Sequence, residues 1–267
     1  MAHDPLFLST AIEAAISAGR IHRKYFRQDV LVQKKGPIDL VTAADLEVER
    51  EFRALIIDRF PAHVVLGEEQ GTSAGDRRPA SHRWIIDPVD GTTNFAHGIA
   101  LFCVSIALEI EGQIEIGVVY DPMADELFSA ERGQGARLNG APMRVSENSQ
   151  LIDALLCTGF PYSVHLERRE MVEVFAAFLG QAQAIRRLGS AALDLCYVAA
   201  GRFDGFWEQS LHPWDMAAGV LLIEEAGGRV SRYGNEPLDI YGRELVASNG
   251  LLHSSMVEAI QSVQRAV

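Results

Sequence analysis

The sequence predicts an α+β or layered α/β fold for this chain of 267 residues. Helix-like and strand-like patterns mix along the chain, the middle third resembles a meander of strands, and no regular βαβ unit repeats. With 48% hydrophobic and 22% charged residues, the composition is that of a globular chain long enough for a large core. That length fits either one large domain or two intimate halves, and we predict a single domain, residues 1–267, with approximate halves at 1–150 and 151–267.

The first third of the chain predicts two helices and two short strands. Apolar or small residues at helical spacing indicate the first helix, and they are Leu8, Ile12, Ala15, Ile16, Ile21 and Tyr25. A second helix is predicted from about Ala44 to Phe60, because Pro61 cannot continue it. Short β-like runs follow at Val64–Leu66 and Trp84–Ile86.

The middle third predicts three consecutive strands. The apolar runs Val104–Glu111, Gln113–Tyr120 and Glu126–Ala130 are separated by Gly112 and by Asp121-Pro122. Glycine, and aspartate followed by proline, are turn signals. Short connections of this kind join neighbouring antiparallel strands, so we expect a meander.

The last third returns to helical patterns, with strands expected near Ile185 and at Phe203–Trp207. Ser190 is placed to cap a helix that Gly201 ends. Pro213 is placed to begin another helix, because its fixed φ suits the first helical position.

The acidic balance of the chain argues against nucleic-acid binding. Lys and Arg number 24 against 36 Asp and Glu, a formal charge of −12, so nothing would replace the counterions of a phosphate backbone. No block of about five or six like charges predicts a membrane-binding patch. Apolar runs such as Val220–Ile223 are far shorter than the ~20 residues of a membrane helix. We therefore expect a soluble protein without nucleic-acid or membrane partners.

Cysteine usage and the N-terminus both favour a cytoplasmic location. Cys103, Cys157 and Cys196 stand singly in apolar stretches without CxxC spacing, which argues against disulfides and favours core packing. Residues 1–4 show no basic region followed by an apolar one, so no signal peptide is predicted.

The densest chemical signal is the segment 84–94, WIIDPVDGTTN. Asp87 ends an apolar run, Pro88 is predicted to stop the strand, and Asp90 begins a tight turn. Two carboxylates flanking a turn, with the carbonyl of Val89 between them, offer the oxygen ligands that Mg²⁺ prefers. Amides after the turn, at a helix start, would suit a phosphate oxygen. The alternative is an Asp-Pro turn followed by an Asx cap, with no ligand.

Other acidic residues, taken singly, have ordinary structural explanations. Glu68 and Glu69 follow an apolar run and are typical of a solvated loop, the alternative being a second metal-facing wall. Asp215 falls in the first turn of its predicted helix, where it favours the helix dipole with or without a metal. Asp45 is likewise a helix-start acid.

Brought together, these carboxylates would repel one another and any anionic substrate. Such a cluster is stable and useful mainly when divalent cations lie inside it. Metals bridged by carboxylates activate a water on one side and neutralise a leaving oxygen on the other, as phosphate-ester hydrolysis requires. The eight histidines show no HxxxH or HxxE spacing, so a zinc site is not expected.

Four motifs, in the expected order, resemble the signatures of the inositol monophosphatase family. They are Asp39-Leu-Val-Thr-Ala-Ala-Asp45, Gly67-Glu68-Glu69, the segment 84–94 and Trp214-Asp-Met-Ala-Ala-Gly219. The resemblance implies an αβαβα five-layer sandwich, one catalytic domain over residues 1–267, and a homodimer. It also implies hydrolysis by water without a phosphoenzyme, two to three Mg²⁺ ions and inhibition by Li⁺.

The resemblance further implies metal ligands. Glu68, Asp87 and the Val89 carbonyl match the ligands of a first ion. Asp87, Asp90 and Asp215 match those of a second. Glu68 would also touch a third ion through water and is implied to be catalytic, and Asp90 would also contact the substrate.

Catalytic and substrate-binding roles follow from the same resemblance. Thr92 would position the nucleophilic water, with Asp45 supporting it from behind. The amides of Gly91 and Thr92 would hold the phosphate. Glu208 matches a carboxylate that binds sugar-ring hydroxyls, and Ala191 lies in the other substrate-contacting segment.

The alcohol half of the substrate is the open part of this interpretation. The segments 186–192 and 203–208 look most like bacterial inositol-1-phosphatases, which makes myo-inositol 1-phosphate the expected substrate. A histidinol-phosphate phosphatase, or another small-metabolite phosphatase of the family, is the alternative, because Glu208 could also pair with an ammonium group.

A silent regulatory or binding scaffold is a hypothesis from another class. The intact set of acidic residues speaks against it, because a scaffold has no reason to keep carboxylates that repel one another. The basic pairs Arg168-Arg169 and Arg186-Arg187 are the candidates for contacts with a partner. We expect them to be solvated faces or dimer contacts.

Overall fold

A computed structural model of the chain describes residues 4–28, 32–36, 40–72, 81–164 and 168–265. Within them it has seven α-helices, fifteen strands and one 3₁₀ turn. The helices are α1 (Leu6–Tyr25), α2 (Ala43–Arg59), α3 (Thr92–Ala96), α4 (Arg169–Leu179), α5 (Ala191–Ala199), α6 (Pro213–Glu225) and α7 (His253–Gln264). The strands are β1 (Val32–Lys34), β2 (Leu40–Thr42), β3 (Val64–Gly67), β4 (Gly71–Thr72), β5 (His82–Asp90), β6 (Cys103–Ile110), β7 (Gln113–Asp121), β8 (Glu126–Glu131), β9 (Ala136–Leu138), β10 (Ala141–Pro142), β11 (Leu155–Thr158), β12 (Ala184–Arg186), β13 (Gly205–Gln209), β14 (Arg229–Ser231) and β15 (Glu244–Ser248).

Two main sheets carry most of these strands. The larger has the order β10-β9-β8-β7-β6-β5-β3-β4 and contains the predicted meander. Its neighbouring strands are antiparallel except β3 and β5, which run parallel. The smaller sheet, β12-β11-β13-β15-β14, is mixed, because β11 runs parallel to both of its neighbours and β15 antiparallel to both of its own. Strands β1 and β2 form a separate antiparallel pair.

Helices and sheets stack in five layers. Helices α1 and α2 cover one face of the larger sheet through a core that includes Trp84 and Ile106. Helices α5 and α6 lie between the two sheets, where Leu221 is fully buried. Helices α4 and α7 cover the outer face of the smaller sheet around Phe178 and Trp207. The predicted layered, five-layer αβαβα arrangement is confirmed.

Most predicted elements occur with boundaries shifted by a few residues, but the prediction that Pro88 stops its strand is wrong. Strand β5 continues through Pro88 to Asp90, and its register against β6 shifts between Asp87 and Asp90. A bulge of this kind leaves a residue out of the ladder, so a proline, which has no N–H to donate, is tolerated there.

Along the chain, the last strand of the larger sheet is β10 and the first strand of the smaller sheet is β11, so the two sheets use separate parts of the sequence. Their organisation as one catalytic domain stays a prediction. Among the helices in the described ranges, none combines the length and the apolar composition needed to cross a bilayer.

Candidate active site

Parallel pairing of β3 and β5 brings the first two acidic residues together. Gly67 of β3 pairs with Ile86 of β5. The next residues along the two strands, Glu68 and Asp87, therefore lie side by side at the same edge of the sheet. The amide of Glu68 extends this pairing by donating to the Ile86 carbonyl at 3.3 Å. The end of a buried parallel pair thus presents two carboxylates to one space.

The bulge in β5 brings Asp90 to the same face as Asp87. Two residues three positions apart in a regular strand point to opposite faces. Here Asp87 pairs with Ser105 and Asp90 with Cys103, two residues of β6 that share a face because they are two positions apart. The extra residue in β5 therefore turns both carboxylates toward the α5 and α6 layer.

Helix α6 supplies the third aspartate. Asp215 is in its first turn and accepts a hydrogen bond from the His212 amide at 2.6 Å, so the predicted helix-start role is present. The hydroxyl of Ser105 donates to the carbonyl of Trp214 at 3.1 Å. Because Ser105 pairs with Asp87, this bond ties the start of α6 to the strand that carries the other acids.

The carboxylate of Asp90 also accepts hydrogen bonds from the start of α5. Its Oδ2 accepts hydrogen bonds from the Ser190 hydroxyl at 2.6 Å and the Ala192 amide at 2.7 Å, and its Oδ1 accepts one from the Ala191 amide at 3.3 Å. Ser190 occupies the N-cap position of α5, as predicted, but its hydroxyl donates to Asp90 and does not bond the helix amides. Asp90 satisfies the unpaired amides of that helix from the other half of the chain.

Thr92 and Asp45 are neighbours next to the acidic wall, which comprises Glu68, Asp87, Asp90 and Asp215. The Thr92 hydroxyl lies 2.9 Å from the Val89 carbonyl and 3.5 Å from Oδ1 of Asp45. Asp45 is also the predicted helix-start acid, because its Oδ2 accepts from the amide and hydroxyl of Thr42 at 2.8 and 2.5 Å. Burial raises the pKa of Asp45 to about 7. Asp39, the first residue of this motif, lies outside the described residues.

These elements surround one cavity of about 460 Å³. All predicted site residues except Asp45 line it, namely Glu68, Asp87, Val89, Asp90, Gly91, Thr92, Ala191, Glu208 and Asp215. Lys35 and Asp194 line it as well and were not singled out from the sequence, and Arg187, which was considered only as a partner contact, also lines it. The cavity is therefore assembled from both halves of the chain.

Burial and like charges dominate the electrostatics of the cavity wall. Burial is the main cause that raises the pKa of Asp87, Asp90 and Asp215. The charges of Glu68 and Asp90 raise the pKa of Asp87 further. Without a cation, burial and the repulsion between like charges therefore disfavour ionisation of all three carboxyl groups at once.

The donor chemistry of this wall fits a hard divalent cation, since carboxylate and carbonyl oxygens are what Mg²⁺ takes. The donors are Glu68, Asp87, Val89, Asp90 and Asp215. In the ranges that the structure describes, no three acidic, histidine or cysteine side chains already form a metal-sized group, and the carboxylates bond protein donors instead. The Lys35 ammonium lies 2.7 Å from the Glu68 carboxylate and 2.8 Å from the Glu69 carboxylate. The carboxylate of Glu68, a proposed ion ligand, is therefore already paired with a cationic group.

The Gly67-Glu68-Glu69 turn is held by a buried residue that was not predicted from the sequence. The fully buried carboxylate of Glu49, on α2, accepts from the amides of Glu69 and Gln70 at 2.9 and 3.1 Å. Arg53 donates to the same carboxylate at 2.7 Å and also to backbone carbonyls on either side of the turn. A Cβ on Gly67 would lie within 2.5–2.7 Å of the Glu49 carboxylate. The spacing of four residues from Glu49 to Arg53 was the available signal.

We expect Glu49→Ala to lower the unfolding free energy by about 3 kcal/mol, a fall in Tm of about 6–12 °C. The change removes a buried acceptor from two amides and leaves Arg53 without its carboxylate. Glu47→Ala is the matched control, because Glu47 is on the same helix but pairs with Lys24 at the surface. Thermal unfolding of both variants checks this, and equal shifts in Tm would contradict the role of Glu49.

Comparisons with known proteins agree with this architecture. The sequence profile described as "Inositol monophosphatase family" matches residues 5–265. A Mesorhizobium japonicum protein named inositol-1-monophosphatase is 43% identical over 258 residues, covering 95% of this chain and 96% of the relative. A Pseudomonas aeruginosa protein named Nus factor SuhB is 44% identical over 258 residues, covering 95% of each chain.

Solved structures show the same similarity in three dimensions. The inositol monophosphatase from Anabaena (Nostoc) has a TM-score of 0.88 to this chain and 42% sequence identity, with 96% of each chain covered. The profile match and these identities extend over both halves and all four motifs. The chain therefore belongs to the inositol monophosphatase family.

Proposed function

We propose that the chain is a Mg²⁺-dependent phosphomonoesterase that hydrolyses a small polyol phosphate, with myo-inositol 1-phosphate as the expected substrate. The observation that carries this proposal is the convergence of Asp87, Asp90 and Asp215 with Glu68 on the wall of one cavity. Family membership supports the phosphatase class, and the family is generally metal-dependent. The relatives named inositol-1-monophosphatase support the choice of substrate.

Two to three ions are proposed at this wall. Glu68, Asp87 and the Val89 carbonyl would hold one ion, and Asp87, Asp90 and Asp215 a second. Glu68 would reach a third through water. An ion held by these residues would supply Lewis-acid chemistry, which would activate a water and offset charge on the phosphoryl oxygens.

The protein's own groups would position the reactants. The Thr92 hydroxyl, fixed between the Val89 carbonyl and Asp45, would hold the attacking water. The amides of Gly91 and Thr92, at the start of α3, would hold the phosphate. Ala191 and Glu208 would contact the alcohol half from the other side of the cavity. Attack by water would leave no phosphoenzyme.

Phosphate release from a panel of esters tests the proposal. We expect release from myo-inositol 1-phosphate to require Mg²⁺, to stop with EDTA and to be inhibited by Li⁺. Histidinol phosphate belongs in the panel because it is the alternative substrate. A preference for it would show that the alcohol half of the substrate is histidinol and not inositol. Absence of release from every ester, with the protein folded, would contradict the phosphatase assignment.

A binding role is a second candidate, because one relative at 44% identity carries the name Nus factor SuhB. Arg186 and Arg187 are exposed, as are Arg168 and Arg169, the last of which pairs with Glu173. A partner captured equally by the wild type and by Asp90→Asn, but lost on charge reversal of Arg186 and Arg187, would support this role. We also propose that the chain forms a homodimer, which sedimentation would test.

A further inference from the structure

Two buried carboxyl groups line the cavity apart from the proposed ion ligands. Asp194 is in the first turn of α5 and is 1% exposed. Glu208 is on β13 and is 8% exposed. The two residues come from different elements of the second half, and both line the same cavity as the acidic wall. Resemblance to the family had pointed only to Glu208.

Within the described part of the chain, no strong hydrogen-bond donor contacts the side chain of Asp194 or Glu208. Oδ1 of Asp194 is buried and has no hydrogen-bond partner among these residues. The neighbouring Cys157 thiol, a weak donor, lies 3.9 Å from the Asp194 backbone carbonyl. The Glu208 carboxylate packs directly against Gly159, where any side chain would collide with it. A buried acceptor without a donor costs about 1–3 kcal/mol, which a ligand that donates to it can recover.

The nearest charges do not neutralise this pair. Burial raises the pKa of Asp194 well above its usual value, and the charge of Glu208 raises it further. Burial raises the pKa of Glu208 to about 8. The Arg187 guanidinium lowers both pKa values but does not outweigh burial. Burial therefore favours the protonated form of both groups, and a protonated carboxyl group can donate one hydrogen bond as well as accept others.

Hydroxyl groups match this pattern. Each hydroxyl donates one hydrogen bond and accepts others, so two neighbouring hydroxyls complement a pair of carboxyl groups that share protons. An aryl group has no donor for either carboxyl, and binding it would leave both unsatisfied.

We propose that Asp194 is a specificity-determining residue, which together with Glu208 binds neighbouring hydroxyl groups on the alcohol half of the substrate. This inference rests on the proposed phosphatase function and names the feature of the substrate that these two residues select. Asp194 acts on substrate binding and takes no part in the chemical step.

The test compares Asp194→Ala and Asp194→Asn with the wild type on myo-inositol 1-phosphate and p-nitrophenyl phosphate, both with Mg²⁺. We expect Asp194→Ala to raise KM for the inositol ester about tenfold, with kcat within about twofold and the aryl ester nearly unchanged. Asp194→Asn keeps an acceptor oxygen and should give a smaller increase. In the double variant with Glu208→Gln, the two effects should be less than additive, because both groups bind one ligand.

Asp204→Asn is the matched control. Asp204 is also a buried acid, but it bonds the Ser146 hydroxyl and the Leu155 amide outside the cavity. We expect this variant to lower Tm without changing the ratio of KM values for the two esters.

The outcomes separate this inference from the proposed function. In one outcome, the wild type hydrolyses both esters while Asp194→Ala changes the two KM values by the same factor, or changes only Tm. In that case the inference is wrong and the function stands. If the wild type hydrolyses neither, the function fails and the inference fails with it. A preference for an amino-alcohol phosphate that Asp194→Ala abolishes would mean that the pair binds ammonium, which contradicts the assignment to hydroxyls.

Discussion

Asp90→Asn should reduce phosphate release about a thousandfold while the chain remains folded. Asp90 is a proposed ligand of the second ion and a proposed substrate contact, and both roles need its negative charge. Loss of that charge is expected to raise the barrier by about 4 kcal/mol. Steady-state turnover on myo-inositol 1-phosphate, with circular dichroism to check the fold, measures the effect. Turnover close to that of the wild type would contradict the assignment of the metal site.

The same substitution should weaken the start of α5. The asparagine NH2 group would face either the Ser190 hydroxyl and the Ala192 amide or the Ala191 amide, all of which now donate to the carboxylate. We expect a fall in Tm of a few degrees, in line with the loss of about 1–2 kcal/mol. Ser190→Ala is the matched control, because it removes one of these bonds and keeps the carboxylate. It should show a comparable fall in Tm and a much smaller loss of turnover.

Mg²⁺ should raise the Tm of the protein by about 5–10 °C at pH 8, and by less at pH 6.5. Asp87, Asp90 and Asp215 have raised pKa values, so the metal-free folded protein binds more protons than the unfolded chain. The unfolding free energy then falls as pH rises through these pKa values. A cation bound between the carboxylates removes the repulsion, and at about a hundred times its Kd it adds about 2.7 kcal/mol per site.

The pH range of this experiment avoids an opposing effect. Burial lowers the pKa of His22, His63 and His253 to about 4. The folded protein keeps these rings neutral, so it loses stability as pH falls below about 6.5 toward 4. Between pH 6.5 and 8 the slope comes from carboxyl groups such as Asp45 and Glu208, because burial raises their pKa values to about 7 and about 8.

Scans with EDTA, with MgCl₂ and with KCl of equal ionic strength separate binding from screening. The metal-free Tm should fall between pH 6.5 and 8, and the Tm with Mg²⁺ should stay nearly constant. Asp87→Asn should lose most of the increase, because Asp87 is proposed to touch two ions. An equal increase with KCl would show that general screening, and not a site, stabilises the protein.

The acidic wall could be predicted because its residues stand in short, ordered motifs, but its geometry could not. Asp87 and Asp90 are three residues apart, a spacing that in a regular strand turns them to opposite faces. Only the bulge places them together, and Pro88 was interpreted as the end of the strand. The partner of Ser190 was missed because it is 100 residues away in the sequence.

Acidic residues that are buried only by contacts with distant parts of the chain could not be recognised from their local sequence. Glu49 and Asp194 occupy helices in which an acid is equally typical of a solvated face, and only tertiary structure buries them. Strand β11, strands β14 and β15 and helix α7 were not predicted at all. The strands are short, with β14 only three residues long, so alternation had too few positions to stand out.

The hydrogen bonds that Asp90 accepts from the start of α5 also bear on how the chain reaches its native state. They join a strand of the larger sheet to a helix start 100 residues later, whereas β6, β7 and β8 pair with their immediate neighbours in the chain. Contacts across long loops must offset a larger closure entropy, so they form later on average than the turns of a meander. During refolding, the larger sheet should therefore precede the ability to bind a cation. In that interval the carboxylates would be exposed without a bound cation. Their mutual repulsion would oppose docking of the two halves, and it would also oppose aggregation with other copies of the chain.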